Sequence, residues 1–204
     1  MLKIEKEYVD NYGETSDDYY IRLNKLLTDI NYKREKRKVF NEVSRILSIK
    51  KKVVRFTLFL VPKATPRPRS GRNGIFYVKG AAENRNIFKK LYNNELHDVK
   101  MITTPCKFKC TAYLPIPKTM NKMEKVLAEM GLIPVISKPD WDNLAKTYCD
   151  MIQGTLLYDD ALIYEGTMIK KYSLKPRIEI EIEYNTEYES EYNRKKMVKK
   201  GLIE

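Results

Sequence analysis

Apolar and polar positions change their period several times along this chain, and each change marks an element. Tyr20, Leu23, Leu27 and Ile30 recur at helical spacing, behind Thr15 and Asp18 at the spacing of a capping box. Val39, Val43, Ile46 and Leu47 repeat that spacing after the basic run from Lys33 to Lys38, so residues 1–52 are expected to hold two helices. The period then drops to two: Val54, Phe56, Leu58 and Leu60 alternate with Arg55, Thr57 and Phe59, the pattern of a half-buried strand. A helix is predicted over Ala81 to Leu96, with Ile87, Phe88, Leu91 and Tyr92 inward and Arg85, Lys89 and Lys90 outward. Phe108, Cys110, Ala112 and Leu114 form a second strand, followed by a short helix near Asn121 to Met130 and another after Pro139. Strands over Leu162 to Ile169 and Ile178 to Tyr184 close the pattern, the last with an Ile/Glu alternation that implies one solvated face.

The resulting order, β-α-β-α-α-β-β, predicts an α+β domain with a small mixed sheet over residues 53–185. A helical extension, 1–52, precedes it. A charged tail, 186–204, follows, with Glu187, Glu189 and Glu191 ahead of Arg194, Lys195, Lys196, Lys199 and Lys200.

The helix after Pro139 carries the densest acid chemistry. At 100° per residue, Trp141, Leu144, Ala145, Tyr148, Met151 and Ile152 form one apolar stripe, while Asp142, Lys146 and Asp150 stack a turn apart on the opposite face. Asp140 falls at the N-cap, from which its carboxylate can lie near that of Asp142. Gly154 ends the helix and lets the chain turn back, so Asp159 or Asp160 can approach the same face. Three carboxylates suffice for Mg²⁺ or Mn²⁺ that keeps waters. Each piece also has a plainer explanation: capping for Asp140 and Asp142, a surface ion pair for Asp142 and Lys146, a turn for Asp159 and Asp160. Their conjunction on one polar face favours the metal. An EF-hand is excluded, because Leu144 and Ala145 occupy positions where that loop needs a ligand and a glycine.

Charge changes the picture further. The 204 residues carry a formal net charge of +12, and an acidic cluster in so basic a chain makes sense where a bound cation lets carboxylates meet a polyanion such as nucleic acid. The segment from Lys63 to Arg72 concentrates Lys63, Arg67, Arg69 and Arg72 among prolines, so it is no central strand. Extended, it projects Arg67 and Arg69 to one side, where guanidinium groups can grip phosphates; Lys138 adds a cation beside the acids. Phe76 and Tyr77 read as core aromatics ahead of base-stacking platforms. Cys106, Cys110 and Cys149 are odd in number and lack paired spacing, which argues against disulfides and zinc and for reduced core thiols. His97, the only histidine, reads as a solvated surface residue, which leaves histidine-dependent nucleases little to work with. No apolar run approaches membrane-spanning length and Met1 opens onto a charged segment, so a soluble cytoplasmic protein is expected.

The run KPDWDNLAKTYCDMIQGTLLYDDALI resembles the signature of the RusA family of Holliday junction resolvases: Asp-x-Asp-Asn-Leu, then Lys, Asp, and Asp-Asp-Ala near the next strand. The resemblance extends more loosely over residues 53–185, including the Pro-Lys-Ala-Thr-Pro-Arg-Pro-Arg stretch from Pro62 to Arg69. It implies a RusA-like α+β fold and Mg²⁺- or Mn²⁺-dependent nicking of four-way DNA junctions during recombination and repair. A homodimer would cut one strand per subunit, without an organic cofactor or a membrane, in a prokaryotic or phage setting. Asp140, Asp142 and Asp160 match the metal-binding aspartates of that family and Lys146 its essential lysine; Asp150 and Asp159 match further acidic positions.

Three other functions compete. A non-catalytic branched-DNA-binding protein would keep the fold, but intact Asp140, Asp142, Lys146 and Asp160 speak against it. A dehalogenase-like phosphohydrolase expects Thr or Val where Leu144 stands. A restriction-type nuclease needs a Glu-x-Lys on a strand after Asp140, and none is convincing.

Overall fold

The computed structural model describes residues 34–65, 69–71, 74–76 and 81–201, together with Ile21 and Lys25. Its internal contacts divide the chain between Ile49 and Lys50 into two units. In the first, helix α1 spans Arg34–Ser48. The basic run, expected as a connection, forms the first turns of α1, because Arg34-Glu35-Lys36-Arg37-Lys38 holds only good helix formers and no breaker. The capping box at Thr15 and Asp18 and the stripe from Tyr20 to Ile30 lie outside the described residues.

The second unit is built on a four-stranded mixed sheet in the order β1-β6-β4-β5, with β1 Lys51–Leu58, β4 Cys106–Pro115, β5 Ile163–Ser173 and β6 Arg177–Asn185. β6 is antiparallel to both β1 and β4, and β4 and β5 are parallel. Register aligns apolar rows across it: Phe56 faces Ile180, Ile180 faces Cys110, and Cys110 faces Met168. Ile178, Ile180 and Ile182 are buried, so the Ile/Glu alternation of β6 does separate a core face from a polar one. On the polar face Glu183 pairs with Lys51, Glu181 with Arg55, Glu165 with Lys107 and Glu179 with Arg177. Arg177 also stacks over the Tyr113 ring, 3.6 Å from its centroid.

A parallel pair needs a long crossover. Here that connection, residues 116–162, carries helix α3 (Lys122–Glu129), helix α4 (Trp141–Ile152) and the acidic turn, while helix α2 (Ala81–Glu95) packs against α4. Asn121 and Glu124 close a reciprocal capping box at the start of α3. A short hairpin, β2 (Arg69–Gly71) and β3 (Gly74–Phe76), pairs Arg69 with Phe76 inside the segment read as an irregular basic loop and the residues after it. His97 is exposed beyond the end of α2, and Cys106 and Cys110 are fully buried in β4. Burial pushes the Cys106 and Cys149 thiols up to about 12. Among the described residues, no helix is long and apolar enough to cross a membrane.

Candidate active site

Two devices fix the head of α4. Lys170 on β5 donates from Nζ to the carbonyls of Ser137 at 2.9 Å and Pro139 at 3.1 Å, and the indole Nε1 of Trp141 donates to the carbonyl of Met168 at 2.7 Å. Lys170 shares the core side of β5 with Met168 and Tyr172, where an amine is tolerated because two carbonyls satisfy it. The indole bond also explains a departure from the predicted stripe. Leu144, Tyr148, Met151 and Ile152 are buried as expected, but Trp141 is 54% exposed, held at its nitrogen rather than by its ring.

The basic strap ahead of the hairpin is tied to the flank of the same helix. The backbone N–H of Thr65 donates to Thr147 Oγ1 at 2.8 Å, and that of Lys63 to the Tyr148 hydroxyl at 3.3 Å. Thr147 in turn donates to the carbonyl of Asn143 at 2.7 Å, so its buried hydroxyl is satisfied on both sides. Burial pushes the Tyr148 phenol up to about 12, which keeps it a neutral partner for that strap.

Asp140 has the extended backbone of an N-cap, yet its side chain makes no capping bond. Asp142 follows in the first turn and is exposed, as is Lys146 a turn later, which has no ion-pair partner among the described residues. At the other end, Asp159 caps the turn Asp160–Leu162, its Oδ1 accepting from the Ala161 N–H at 2.9 Å. That bond, with help from Asp160 and the nearby Lys200, holds the Asp159 carboxyl below the usual carboxylate range. Asp160 is exposed. A bridge between Gln153 and Leu157, with the Gly154 N–H donating to the Leu157 carbonyl at 2.7 Å, brings the acidic turn back to the C-terminal end of α4, where Asp160 and Asp150 both raise the Cys149 thiol further. Arg85 of α2 joins them there, donating from Nε to the carbonyl of Asp150 at 3.2 Å.

The polar face of α4 therefore carries acids at both ends, with Lys146 between. Asp142 and Asp150 stand about 12 Å apart along the axis from the helical rise alone. Among the described residues, no three Asp, Glu, His or Cys side chains converge closely enough to hold a metal ion. A hydrated Mg²⁺ asks for less: it takes one or two carboxylates directly, with waters and phosphate oxygens filling the rest. Asp140 and Asp142 offer hard, accessible oxygens of that kind, and Asp140 is not spent on capping. The donor chemistry fits.

Lys63 and Lys138 are exposed near this surface; the Arg69 backbone lies in β2, while Arg67, Arg72 and Tyr77 fall outside the described residues. Sequence reasoning missed Lys170, Thr147, Arg85 and the contact between the C-terminal segment and Asp159. Lys170 lies one residue past the strand predicted over Leu162 to Ile169, and only the strand's continuation to Ser173 sets it at an apolar position.

Comparison with known proteins bears directly on these residues. Residues 60–183 match the family described as endodeoxyribonuclease RusA, a span that includes the strap, the hairpin, α4 and the acidic turn. The chain is also 32% identical over 135 residues to the uncharacterized protein YqaN of Bacillus subtilis (strain 168), a match covering 63% of this chain and 94% of that protein. With an α+β fold of the expected kind and a family match that spans the strap, α4 and the acidic turn, the chain belongs to the RusA family of endodeoxyribonucleases, the Holliday junction resolvases.

Proposed function

We propose that this protein resolves four-way DNA junctions by paired symmetric nicks, acting as a homodimer whose subunits each cut one strand. The observation that carries the reading is the Asp140 carboxylate, which heads a helix without capping it, two residues ahead of Asp142, with Lys146 one turn beyond Asp142 and without an ion pair among the described residues. Of the three signature aspartates, Asp140 and Asp142 would hold a divalent cation, Mg²⁺ or Mn²⁺, directly, and Asp160 would do so through a bound water. When bound, that ion supplies charge neutralisation at the scissile phosphate and a more acidic water. Lys146 stabilises the negative charge that builds on the phosphate as water adds to phosphorus and the P–O bond breaks. Lys63, Arg67, Arg69, Arg72 and Lys138 bind backbone phosphates and carry no base readout. Residues 1–52 and 186–204 are appendages to a nuclease domain of residues 53–185.

The test is cleavage of a labelled four-way junction, beside linear duplex and single strand, with Mg²⁺ or Mn²⁺ and with Asp142→Asn as control. Paired nicks confined to the junction, with loss of about 100-fold or more in the variant, are expected. Binding without metal-dependent cleavage would sink the nuclease reading, and equal cleavage of every substrate would sink junction specificity.

A further inference from the structure

The C-terminal segment lies beyond the span matched to the family and is structured. Helix α5, Glu191–Lys199, is capped by Ser190, whose Oγ accepts from the Tyr192 N–H at 3.2 Å, and Met197 is buried at 5% exposure. The turn leading into it is tied down where the Tyr188 hydroxyl donates to the carbonyl of Thr103 and Asn185 bonds Glu189. A charged tail with no partner would have no reason to fold onto the domain; this one is seated.

Its seat is the acidic turn. Lys196, Met197 and Lys200 face Asp159, Leu162 and Tyr164 across a groove of about 410 Å³, and Lys200 Nζ lies 3.9 Å from Asp159 Oδ2. At 100° per residue, Lys195, Lys199, Tyr192 and Lys196 fall in order within about 100° of arc on the side leading out of that groove. All four are exposed, and Lys195, Lys196 and Lys199 make no ion pair among the described residues. Lys195 and Lys199 are a turn apart, roughly 6 Å. A cationic stripe with an aromatic among its lysines, fixed beside a carboxylate cluster, complements a run of backbone phosphates. The carboxylates alone would repel them.

The geometry points to α5 as a DNA-backbone clamp: Lys195, Lys196 and Lys199 bind phosphates of the duplex arm flanking the strand that reaches Asp160. This rests on the junction-cleaving function proposed above. The occupant is nucleic acid backbone of any sequence, since lysine heads contact phosphate and read no base edges.

The experiment compares the full chain with its Lys195→Gln/Lys196→Gln/Lys199→Gln form and with the matching triple arginine form. A fluorescent four-way junction is titrated from 50 to 300 mM KCl, with cleavage measured separately at saturating junction. We expect the glutamine form to bind about tenfold or more weaker, with a salt slope shallower by about two to three. Its maximal cleavage rate should be unchanged and the arginine form should retain the native slope. Unchanged affinity and slope in the glutamine form would overturn the clamp, whether or not the native protein cleaves. A native protein that shows the lysine-dependent slope but never cleaves leaves the clamp standing and removes the resolvase. An arginine form that loses the slope along with the glutamine form also overturns the clamp, because a local packing defect then accounts for both.

Discussion

Asp140 and Asp159 occupy the same formal position, the residue ahead of a helical turn, and use it in opposite ways. Asp159 spends an oxygen on the Ala161 N–H and has Lys200 close by. Asp140 makes no capping bond, and the entry to its helix is fixed instead by Lys170 and by the Trp141 indole. One aspartate is local architecture. The other heads a helix whose entry is held by other residues, so its carboxylate makes no capping bond and is open to the metal role proposed above. The comparison teaches that a capping position is not a capping role, and that the difference shows only in who bonds the first free N–H groups.

The widest gap between the two should appear in catalysis. Asp140→Asn is expected to lower junction cleavage by about 100-fold or more, and Asp159→Asn by less than about tenfold, measured as single-turnover rates at saturating metal. Equal losses would erase the distinction. A middle effect is expected at Lys170, which bonds the carbonyls of Ser137 and Pro139 just ahead of Asp140. Lys170→Met should cut the cleavage rate by about tenfold and raise the Mg²⁺ concentration needed for half-maximal rate, with junction affinity unchanged. A variant that loses rate and stability together, with no change in metal requirement, would make Lys170 a packing residue only. The smallest effect concerns stability. Asp159→Ala should cost about 1 kcal/mol in urea unfolding, the usual value of a lost cap, while Asp140→Ala should cost less than about 0.5 kcal/mol. A larger loss at Asp140 would mean that it caps after all.

Much of this was legible in the chain because periodicity survives folding. The buried side of α4 and the two faces of β6 follow directly from Leu144, Tyr148 and Met151 and from Ile178, Ile180 and Ile182, whose spacing has one meaning in a helix and another in a strand. The acids of the signature stood out for a different reason, their number and spacing, and one of them, Asp159, turned out to cap a turn. What escaped was contact between segments distant in sequence. Nothing near Thr147 says that its hydroxyl will take the Thr65 N–H from 82 residues away, and nothing in a run of lysines near the terminus says that a helix will seat against Asp159. Trp141 was misjudged because an indole can be anchored by one hydrogen bond and still face water. The basic run at Arg34–Lys38 was read as a connection on its charge, although its residues are helix formers.

The polar face of the sheet has a consequence for how the molecule meets its substrate. Each of its four glutamates occupies a cation, while Lys109 and Lys171 on the same face make no ion pair among the described residues. A polyanion that lands there competes with glutamates for most of the cations it meets. The ladder that finishes the sheet thus also acts as a partial shield, making that face a poorer landing site than its lysines and arginines alone would suggest.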